Sequence, residues 1–578
     1  MNAPTKPFPL GLTLLIVLAL LLSSALVARP VSAASIVVNS NEDVVGDDGQ
    51  CTLREAIHNA NNATQLHIGD GECASGSAGA DTITFANNYI ITLNSEDKQL
   101  VISSEIIIIG TGSPYTIIQA SGCNPVILEP SGCIPATYSV LEVKANGNLT
   151  LEEVTVRHGK QYSGGGILNM GTLLVNESII SGNFGEAGGG GIINESDSNV
   201  TIFNSSLTGN QGGLGGAIWN NSANFQVFNS AFSNNIALYD GGAIYNLGDM
   251  AITNSLFTGN VALNGGGISN DYATMTVATS TFSDNWVFYN GGGIYNTGSL
   301  EIVGSKIIRN WANIKGGGVF SNGTLEVDQS TFLANTANLG GGIRNDEGTQ
   351  SQMTVTDSTF FGNQAAHGGA IDVWGGGPNK ISTSSFYGNA ATASGGAIRI
   401  WSILTMENST LSGNSTDSVG GGFNVQDSGV LTLQHVTLNE NTASSGGGIY
   451  VGSNAAMKYI NTIIAHSTGG DCVNNGTINL ESTHNLVTDG SCGALLDDDP
   501  MLSPLANYGG PTLTHALLPG SPAIDAGSMA DCVSTDQRGF YRPIDGNGDG
   551  VLGCDIGAFE FDPAMDGLMF IYLPLIMK

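Results

Sequence analysis

Five side chains in one part of the sequence have the types and spacing expected of a sugar-binding surface. Arg344, Asp372 and Arg399 each directly follow the apolar residue of a Gly-Gly-(Gly or Ala)-apolar motif, and Trp374 and Trp401 lie two residues further along. If the motif begins a strand that stacks on its own copies, the two indoles lie ~5 Å apart. Flat aromatic rings beside paired charges are typical of a platform on which sugar rings stack. The alternative is that the rings only shield the sheet from solvent, and that the paired charges of Arg344, Asp372 and Arg399 solvate its surface.

The position after the apolar residue is variable in the other copies of the motif. In chain order it holds Leu168, Ile193, Trp219, Tyr245, Ser269, Tyr295, Phe320, Arg344, Asp372, Arg399, Asn424 and Tyr450. Since strand side chains alternate, this column points away from the core. We therefore add Trp219, Tyr245 and Tyr295 to the five residues above as candidate glycan-binding residues.

A second candidate site lies near the C-terminus, in the stretch "DGNGDG". Its oxygen-bearing side chains occupy alternating positions with Gly550 at the sixth, as a calcium loop requires: Asp545, Asn547 and Asp549. The twelfth position is Ile556, where an EF-hand has a bidentate glutamate, so Asp555 or Glu560 would have to supply that carboxylate. The alternative is a plain Asn/Asp/Gly turn. Calcium is the one cofactor that the sequence suggests, and none is required.

The elements that position these residues follow from an internal repeat. The glycine motif occurs twelve times at steps of 24 to 28 residues, and an apolar-x-x-Asn motif runs in phase with it from Asn183 to Asn441. In the segments between these motifs, β-branched and polar residues alternate, and there is no helical period. The repeat of 24 to 28 residues predicts an all-β, right-handed parallel β-helix whose coils stack along one axis.

The repeated polar residues have structural roles in this prediction. The glycines permit a left-handed backbone at a corner that every coil turns. A set of asparagines points inward two residues after the apolar position, and we expect it to form a hydrogen-bonded ladder: Asn169, Asn194, Asn220, Asn246, Asn270, Asn296 and Asn345.

The chain ends predict export. Residues 1–33 have the basic start, apolar run and small-residue site of a cleavable signal peptide. The eight cysteines lie outside the repeat, and nearest-neighbour pairing is the favoured of several connectivities for Cys51, Cys73, Cys123, Cys133, Cys472, Cys492, Cys532 and Cys554. We expect no transmembrane segment in the mature chain.

The charge composition of the chain disfavours some classes of binding partner. The net charge is −32, with 17 basic against 49 acidic residues, which disfavours nucleic acid and anionic lipid. Neutral glycans, another cell surface or cations are better suited, and the sequence leaves the oligomeric state open.

The double motif "GGAI" with Phe-x-x-Asn resembles the polymorphic outer membrane protein repeat of bacterial surface β-helices, over roughly residues 160 to 445. "DGQCTLREAIHNAN" resembles the CSLREA motif, in which Thr52 and Glu55 form a capping box over a short helix. Residues 485 to 561 resemble the choice-of-anchor Q domain, which implies an exported or surface-attached protein.

The expected organisation is therefore a signal peptide at 1–33, a cap with first coils at 34–140, the β-helix at 141–470, a disulfide-stapled domain at 471–562 and a short apolar tail at 563–578. We expect a non-enzymatic, adhesin-like or structural surface protein that binds glycans and has no catalytic residues. The alternative is an extracellular polysaccharide lyase or hydrolase acting on acidic or plant-type polysaccharide. His515 is expected to be a structural hydrogen-bonding residue.

Overall fold

The computed structural model describes residues 33–94, 98–127, 133–348 and 351–565. They form a parallel β-helix in which every ladder between strands is parallel, so the predicted all-β solenoid is confirmed. The predicted signal peptide, apart from residue 33, and the tail beyond residue 565 lie outside the described residues. No helix in the described ranges is long and apolar enough to cross a membrane.

Sheet A has 31 strands and takes two strands from most coils, joined by a bend. The first strands of the pairs are Ser35–Val38, Asp81–Phe85, Glu105–Ile109, Asn148–Glu152, Thr172–Asn176, Asn199–Phe203, Asn224–Phe228, Met250–Thr253, Thr274–Ala278, Ser299–Val303, Thr324–Asp328, Gln352–Thr356, Asn379–Ser382, Ala456–Ile460 and Thr477–Ile478. The second strands are Ile90–Thr92, Ile117–Gln119, Thr155–Arg157, Ile179–Ser181, Ser206–Thr208, Ala231–Ser233, Leu256–Thr258, Thr281–Ser283, Lys306–Ile308, Thr331–Leu333, Thr359–Phe361, Ser385–Tyr387, Ile463–Ala465 and Leu486–Val487. Two long strands span both parts: Ile403–Ser412 and Val430–Asn439.

Sheet B has 15 strands and contains the apolar residue of every glycine motif. Its strands are Leu100–Ile102, Leu141–Val143, Ile167–Asn169, Ile192–Asn194, Ile218–Asn220, Ile244–Asn246, Ile268–Asn270, Ile294–Asn296, Val319–Ser321, Ile343–Asn345, Ile371–Val373, Ile398–Ile400, Phe423–Val425, Ile449–Val451 and Cys472–Asn474.

Sheet C is the narrowest and has two-residue strands. They are Lys160–Gln161, Phe184–Gly185, Gln211–Gly212, Ile236–Ala237, Val261–Ala262, Trp286–Val287 and Trp311–Ala312, and a three-stranded sheet continues the series with Gln364–His367, Ala390–Ser394 and Ser415–Thr416.

The two glycines of each motif have different reasons to be glycine. Gly241 has φ +71°, the left-handed conformation that the corner requires. A Cβ on Gly242 would lie 2.1 Å from the carbonyl oxygen of Gly266 and 2.8 Å from the amide nitrogen of Val261. The first glycine therefore turns the corner as predicted, and the second lets sheet C approach the backbone of sheet B.

Inside the solenoid, side chains of the same residue type stack on one another along the axis. Parallel phenylalanine rings stack at 4.5–4.7 Å in two runs, which include Phe232, Phe257 and Phe282 and then Phe332, Phe360 and Phe386. Beside them, six of the seven predicted inward asparagines form a chain of hydrogen bonds, with each Nδ2 donating to the next Oδ1 from Asn169 to Asn296. Asn345 lies outside this chain, because Asn296 donates to Ser321 and Asn345 donates to Asn379. The apolar-x-x-Asn residues form a second, longer ladder from Asn183 to Asn441.

The only α-helix longer than one turn in the described ranges is Leu53–Asn62, which lies over the first coils. Thr52 and Glu55 form the predicted capping box. Arg54 donates to Asp43 at 2.7 Å from Nε, and its Nη2 donates to the carbonyl oxygen of Lys98. The helix covers the end of the solenoid with satisfied backbone groups, which removes an exposed strand edge.

All four disulfides join nearest neighbours in sequence, as predicted: Cys51–Cys73, Cys123–Cys133, Cys472–Cys492 and Cys532–Cys554. Solenoid strands continue past residue 470, because Cys472–Asn474 and Leu486–Val487 still pair with the coil before them.

The C-terminal segment beyond the solenoid packs along its side. Ala558 donates its backbone N–H to Thr437 Oγ1, and Gln537 Oε1 accepts from Thr410 Oγ1 at 2.6 Å. Ile463, Phe559 and Phe561 share one small apolar cluster. The segment thus covers the outward face of the last coils of sheet A. Two one-turn 3₁₀ helices occur here, Ser491–Gly493 and Met529–Asp531.

Candidate functional site

The variable column of sheet B is continuous along the axis. Register places Trp219 beside Tyr245, Tyr295 beside Phe320, and Arg344 beside Asp372. The predicted column is therefore a physical strip. We call the outward positions of sheet B from Trp219 to Arg399, together with Trp374 and Trp401, the sheet B strip.

The three charged residues predicted as part of the glycan-binding platform are buried. Arg344, Asp372 and Arg399 are 2%, 0% and 6% exposed. Arg399 donates to both carboxylate oxygens of Asp372, at 2.8 and 2.7 Å, and Arg344 Nη1 donates to the same carboxylate. Each charge is paired with its neighbour on the next coil, and the rings of Trp374 and Trp401 lie against the guanidinium groups of Arg344 and Arg399. The three residues therefore support the strip from below rather than lying open on it.

Trp374 and Trp401 lie on consecutive coils at the edge of this buried group. Their ring centroids are 4.5 Å apart and their planes are tilted by 44°. The Arg344 guanidinium carbon lies 5.1 Å from the Trp374 ring centroid, and that of Arg399 lies 5.8 Å from the Trp401 ring. Both indoles are half-buried, and Trp374 Nε1 donates to the exposed Glu347. The predicted spacing of the pair is confirmed.

Asp346 extends the ion pairs toward the preceding coil. Arg344 Nη2 donates to Asp346 at 2.8 Å, and Lys315 Nζ donates to its other carboxylate oxygen. Burial alone would raise the pKa of Asp346, but the hydrogen bond from Lys315 and the charge of Arg344 hold that pKa below its usual range. Asp346 is thus ionised and fully engaged with cations.

The tyrosine half of the strip carries a different chemistry. Tyr245 donates its hydroxyl to Asp271 at 2.9 Å, and Tyr295 stacks on Phe320 at 5.0 Å. Burial, and then the hydrogen bond to Asp271, raises the pKa of Tyr245. Burial, with the negative charges of nearby aspartates, raises the pKa of Tyr295 to about 12. Trp219, Tyr245 and Tyr295 are half-buried, so part of each ring faces solvent. The raised pKa values keep the hydroxyl groups of Tyr245 and Tyr295 protonated at neutral pH.

The stretch predicted as a calcium loop is a closed turn. Asp545 accepts hydrogen bonds from the backbone N–H groups of Gly548, Asp549 and Gly550. Asn547 Oδ1 accepts from the N–H of Asp549. These three side chains thus lie in one loop as predicted.

Asp555, the predicted fourth ligand, is not part of that loop. Its carboxylate is 1% exposed and accepts from the backbone N–H groups of Asp525 and Phe561. Glu560, the alternative ligand, is fully buried as well and accepts from the N–H groups of Ile544 and Asp555. The prediction that one of them completes the loop is wrong, because backbone amides occupy their oxygens.

A buried ionic cluster joins the C-terminal segment to the solenoid, and no motif in the sequence signalled it. Arg542 donates to the carbonyl oxygens of Asp555 and Gly557, and its Nη1 donates to Nδ1 of His435 in sheet A. Burial lowers the pKa of His435 to about 3, with the charge of Arg542 acting in the same direction. Burial raises the pKa of Glu560 to about 7. A neutral imidazole thus accepts from a buried guanidinium.

His435 also lies beside the disulfide Cys532–Cys554. In the described ranges, these three residues are the group whose side-chain atoms lie close enough together to ligate a metal ion. Both sulfur atoms are bonded to each other, so neither is a thiolate ligand. His515, predicted to be structural, has Nδ1 2.7 Å from the carbonyl oxygen of Ser503 and Nε2 3.0 Å from Ser412 Oγ.

Residues 215–386 match the family model described as "right handed beta helix region". The match covers the centre of the solenoid, including Tyr245, Tyr295 and Trp374, and it gives the hand of the coils. The protein is a right-handed parallel β-helix. Proteins of this type include both surface or secreted proteins and enzymes that act on polysaccharides. No curated protein matches the sequence.

Proposed function

We propose that this protein is an exported, non-enzymatic β-helix of the adhesin type that binds a neutral glycan on the sheet B strip. One observation carries the proposal: Trp374 and Trp401 lie 4.5 Å apart on consecutive coils but are tilted by 44°. The pairs of stacked rings elsewhere in the described solenoid are tilted by only 2° to 20°. The tilt leaves part of each indole uncovered by the other, which favours stacking on a sugar ring.

The ion pairs beneath the indoles support binding by fixing their positions. Arg344 and Arg399 lie within 6 Å of the two rings and are themselves held by Asp372. A rigid aromatic platform loses little conformational entropy when a ligand binds. The strip around the indoles has no unpaired cation, which favours a neutral over an acidic glycan.

Hydrolysis or lyase chemistry is the alternative, and the carboxylates of the strip do not favour it. A general acid near neutral pH needs a raised pKa. Asp346 has a lowered pKa and bonds to two cations, and Asp372 bonds to two arginines. These carboxylates are better suited to holding the arginines than to exchanging protons with a substrate.

Four disulfides and the sequence signal support export. Two measurements test the proposal. Fractionation of native cells should place the chain outside the cytoplasm. The mature protein should be retained on insoluble cellulose, chitin or xylan, without release of reducing ends from these or from polygalacturonate. No retention on any of the neutral polysaccharides would contradict the binding function, and reducing-end release would favour the alternative.

A further inference from the structure

An apolar patch lies on sheet C, on a different face from the sheet B strip. It spans four consecutive coils, and its strands begin with Ile236, Val261, Trp286 and Trp311. The next outward position adds Leu238 and Leu263 and then Phe288. We call these seven residues the sheet C patch.

The sheet C patch carries no charge, and three of its seven residues are exposed while the other four, including Trp286 and Trp311, are half-buried. Ile236, Leu238 and Phe288 are 39%, 50% and 51% exposed, and Val261 and Leu263 are half-buried. Adjoining Tyr239 and Tyr289 are also exposed, at 58% and 46%. An uncharged apolar surface of this kind marks an interaction site.

Side-chain size changes in one direction along the patch. Register aligns Ile236, Val261, Trp286 and Trp311 in one column. The two indoles stack at 5.1 Å with planes 3° apart, so the large half of the column is rigid. The column therefore consists of two aliphatic residues followed by two tryptophans. The neighbouring column changes from Leu238 and Leu263 to Phe288 and ends with the polar Asn313 on the fourth coil.

We propose that the sheet C patch is the contact between two copies of this chain, related by a two-fold axis that runs along the strand direction between the Val261 and Trp286 coils. Such an axis makes the two solenoids antiparallel and aligns each column with itself. The first coil of one patch then faces the fourth coil of the other. Each tryptophan lies against an aliphatic residue, Trp286 against Val261 and Trp311 against Ile236, which is the self-complementarity that an isologous interface requires.

Charge along the border of the patch matches the same arrangement. The next column along the strands begins with Asp240 on the first coil and ends with Lys315 on the fourth, with asparagines between them. In the antiparallel pair, Asp240 of one copy faces Lys315 of the other, whose Nζ also donates to Asp346 of its own chain. A parallel pair, whose two-fold axis runs along the solenoid axis, would keep Asp240 and Lys315 on coils that do not face each other. Two chains of net charge −32 repel, so an uncharged contact with opposite charges at its border is the place where they can meet.

The size of the patch sets the strength of the contact. Four strands at ~4.8 Å spacing give a patch of roughly 14 Å along the axis. At that length the patch would have to be roughly 57 Å wide to reach the interface of about 800 Å² per partner that is typical of stable complexes, so flanking coils must contribute. We therefore expect a reversible dimer whose population depends on concentration.

A charge-pair exchange tests the contact. Leu238 on the first coil faces Asn313 on the fourth coil of the other copy, and both side chains are exposed. In sedimentation velocity over a concentration series, the wild type should shift from monomer to dimer. Leu238→Glu buries a carboxylate against Asn313 and should leave only monomer. Adding Asn313→Lys to that variant pairs the two charges across the two-fold axis and should restore the dimer.

The control is Tyr272→Lys, which changes a side chain that is 86% exposed and outside the patch, and which should dimerise like the wild type. Circular dichroism of each variant separates misfolding from loss of contact. Three results would each overturn the proposal: a wild type that stays monomeric at every concentration, a dimer that persists in Leu238→Glu, or a double variant that stays monomeric. Binding of cellulose or chitin by this face of a monomer would give the first of these results.

Discussion

Asp372 accepts hydrogen bonds from Arg399 through both carboxylate oxygens, although both residues point out of the core. The pair has a counterpart of the same geometry in Arg309 and Asp284, which also join neighbouring coils by two bonds at 2.8 and 2.7 Å. The first pair is buried and the second is exposed. The two pairs therefore separate the effect of burial from that of geometry.

We expect Asp372→Asn to destabilise the solenoid by about 3–5 kcal/mol, because the buried Arg399 guanidinium loses its counter-charge and that of Arg344 keeps only Asp346. Asp284→Asn, in the exposed pair, should leave the unfolding midpoint unchanged. Chemical denaturation of both variants measures the difference. Equal effects of the two substitutions would show that burial is not what makes the Asp372 pair important.

The longer asparagine ladder predicts a large cost for a single interruption. Asn285 donates to the carbonyl oxygen of Phe257 and to Asn310, and its Oδ1 accepts from both nitrogens of Asn260. Asn285→Ala should cost at least about 3 kcal/mol, since each orphaned buried group costs about 1–3 kcal/mol.

A surface asparagine pair is the matched control for the ladder. Asn254 Nδ2 donates to Asn229 at 2.7 Å, but both side chains are exposed. Asn254 has φ +49°, so the control substitution is Asn254→Gly, which keeps the left-handed conformation accessible. Its unfolding midpoint should stay near that of the wild type. A cost comparable to that of Asn285→Ala would contradict a special role for the ladder.

His435 should make the junction with the C-terminal segment sensitive to acid. Its pKa is about 3 in the folded chain against an ordinary value of 6.5. The unfolded chain therefore binds a proton that the folded chain rejects. Stability from this group is complete above pH 6.5 and is lost as the pH falls toward 3, at up to about 1.4 kcal/mol per pH unit.

His435→Gln keeps an acceptor and a donor without the titration, and it should lose less stability than the wild type between pH 6.5 and pH 4. Glu560, with its pKa of about 7 against 4.5, acts in the opposite direction: its contribution is complete below pH 4.5 and is lost as the pH rises through 7. Because Glu560 is present in both proteins, the difference between their denaturation midpoints isolates His435. Parallel pH profiles would contradict the prediction.

The turn at Asp545 should be stable without an ion. Its carboxylate already accepts from three backbone amides, and Asp555 and Glu560 are both bonded elsewhere. The loop therefore offers few of the six to eight oxygens that calcium requires. We expect the thermal midpoint to be the same in EDTA as in calcium. A calcium-dependent rise that Asp549→Asn abolishes would show that an ion binds there.

Periodicity made much of this fold predictable from the sequence. The glycine motif and the apolar-x-x-Asn motif are both set by contacts between neighbouring coils, so their repetition reports the stacking directly. Gly242 and Asn285 take part in the same contacts as their copies, and each copy strengthens the same prediction. The disulfide pairing was predictable because each cysteine bonds to its nearest neighbour in the sequence.

Features that depend on a single contact were not predictable in this way. The burial of Arg344 and Asp372 depends on which side chains and loop segments cover them, and alternation only places them outside the core. The position of Asp555 depends on a segment that folds back along the last coils, a contact with no repeat to reveal it. Trp286 and Trp311 belong to two-residue strands, which are too short to show alternation.

The most direct test of the proposed function is retention on insoluble cellulose, chitin and xylan by Trp374→Ala with Trp401→Ala. The matched control is Phe361→Ala with Tyr387→Ala, a pair stacked at 4.6 Å on consecutive coils of sheet A. We expect the wild type and the control to be retained on at least one of these polysaccharides and the tryptophan variant to lose at least tenfold in affinity, about 1.4 kcal/mol. Equal retention of all three proteins would contradict glycan binding on the sheet B strip.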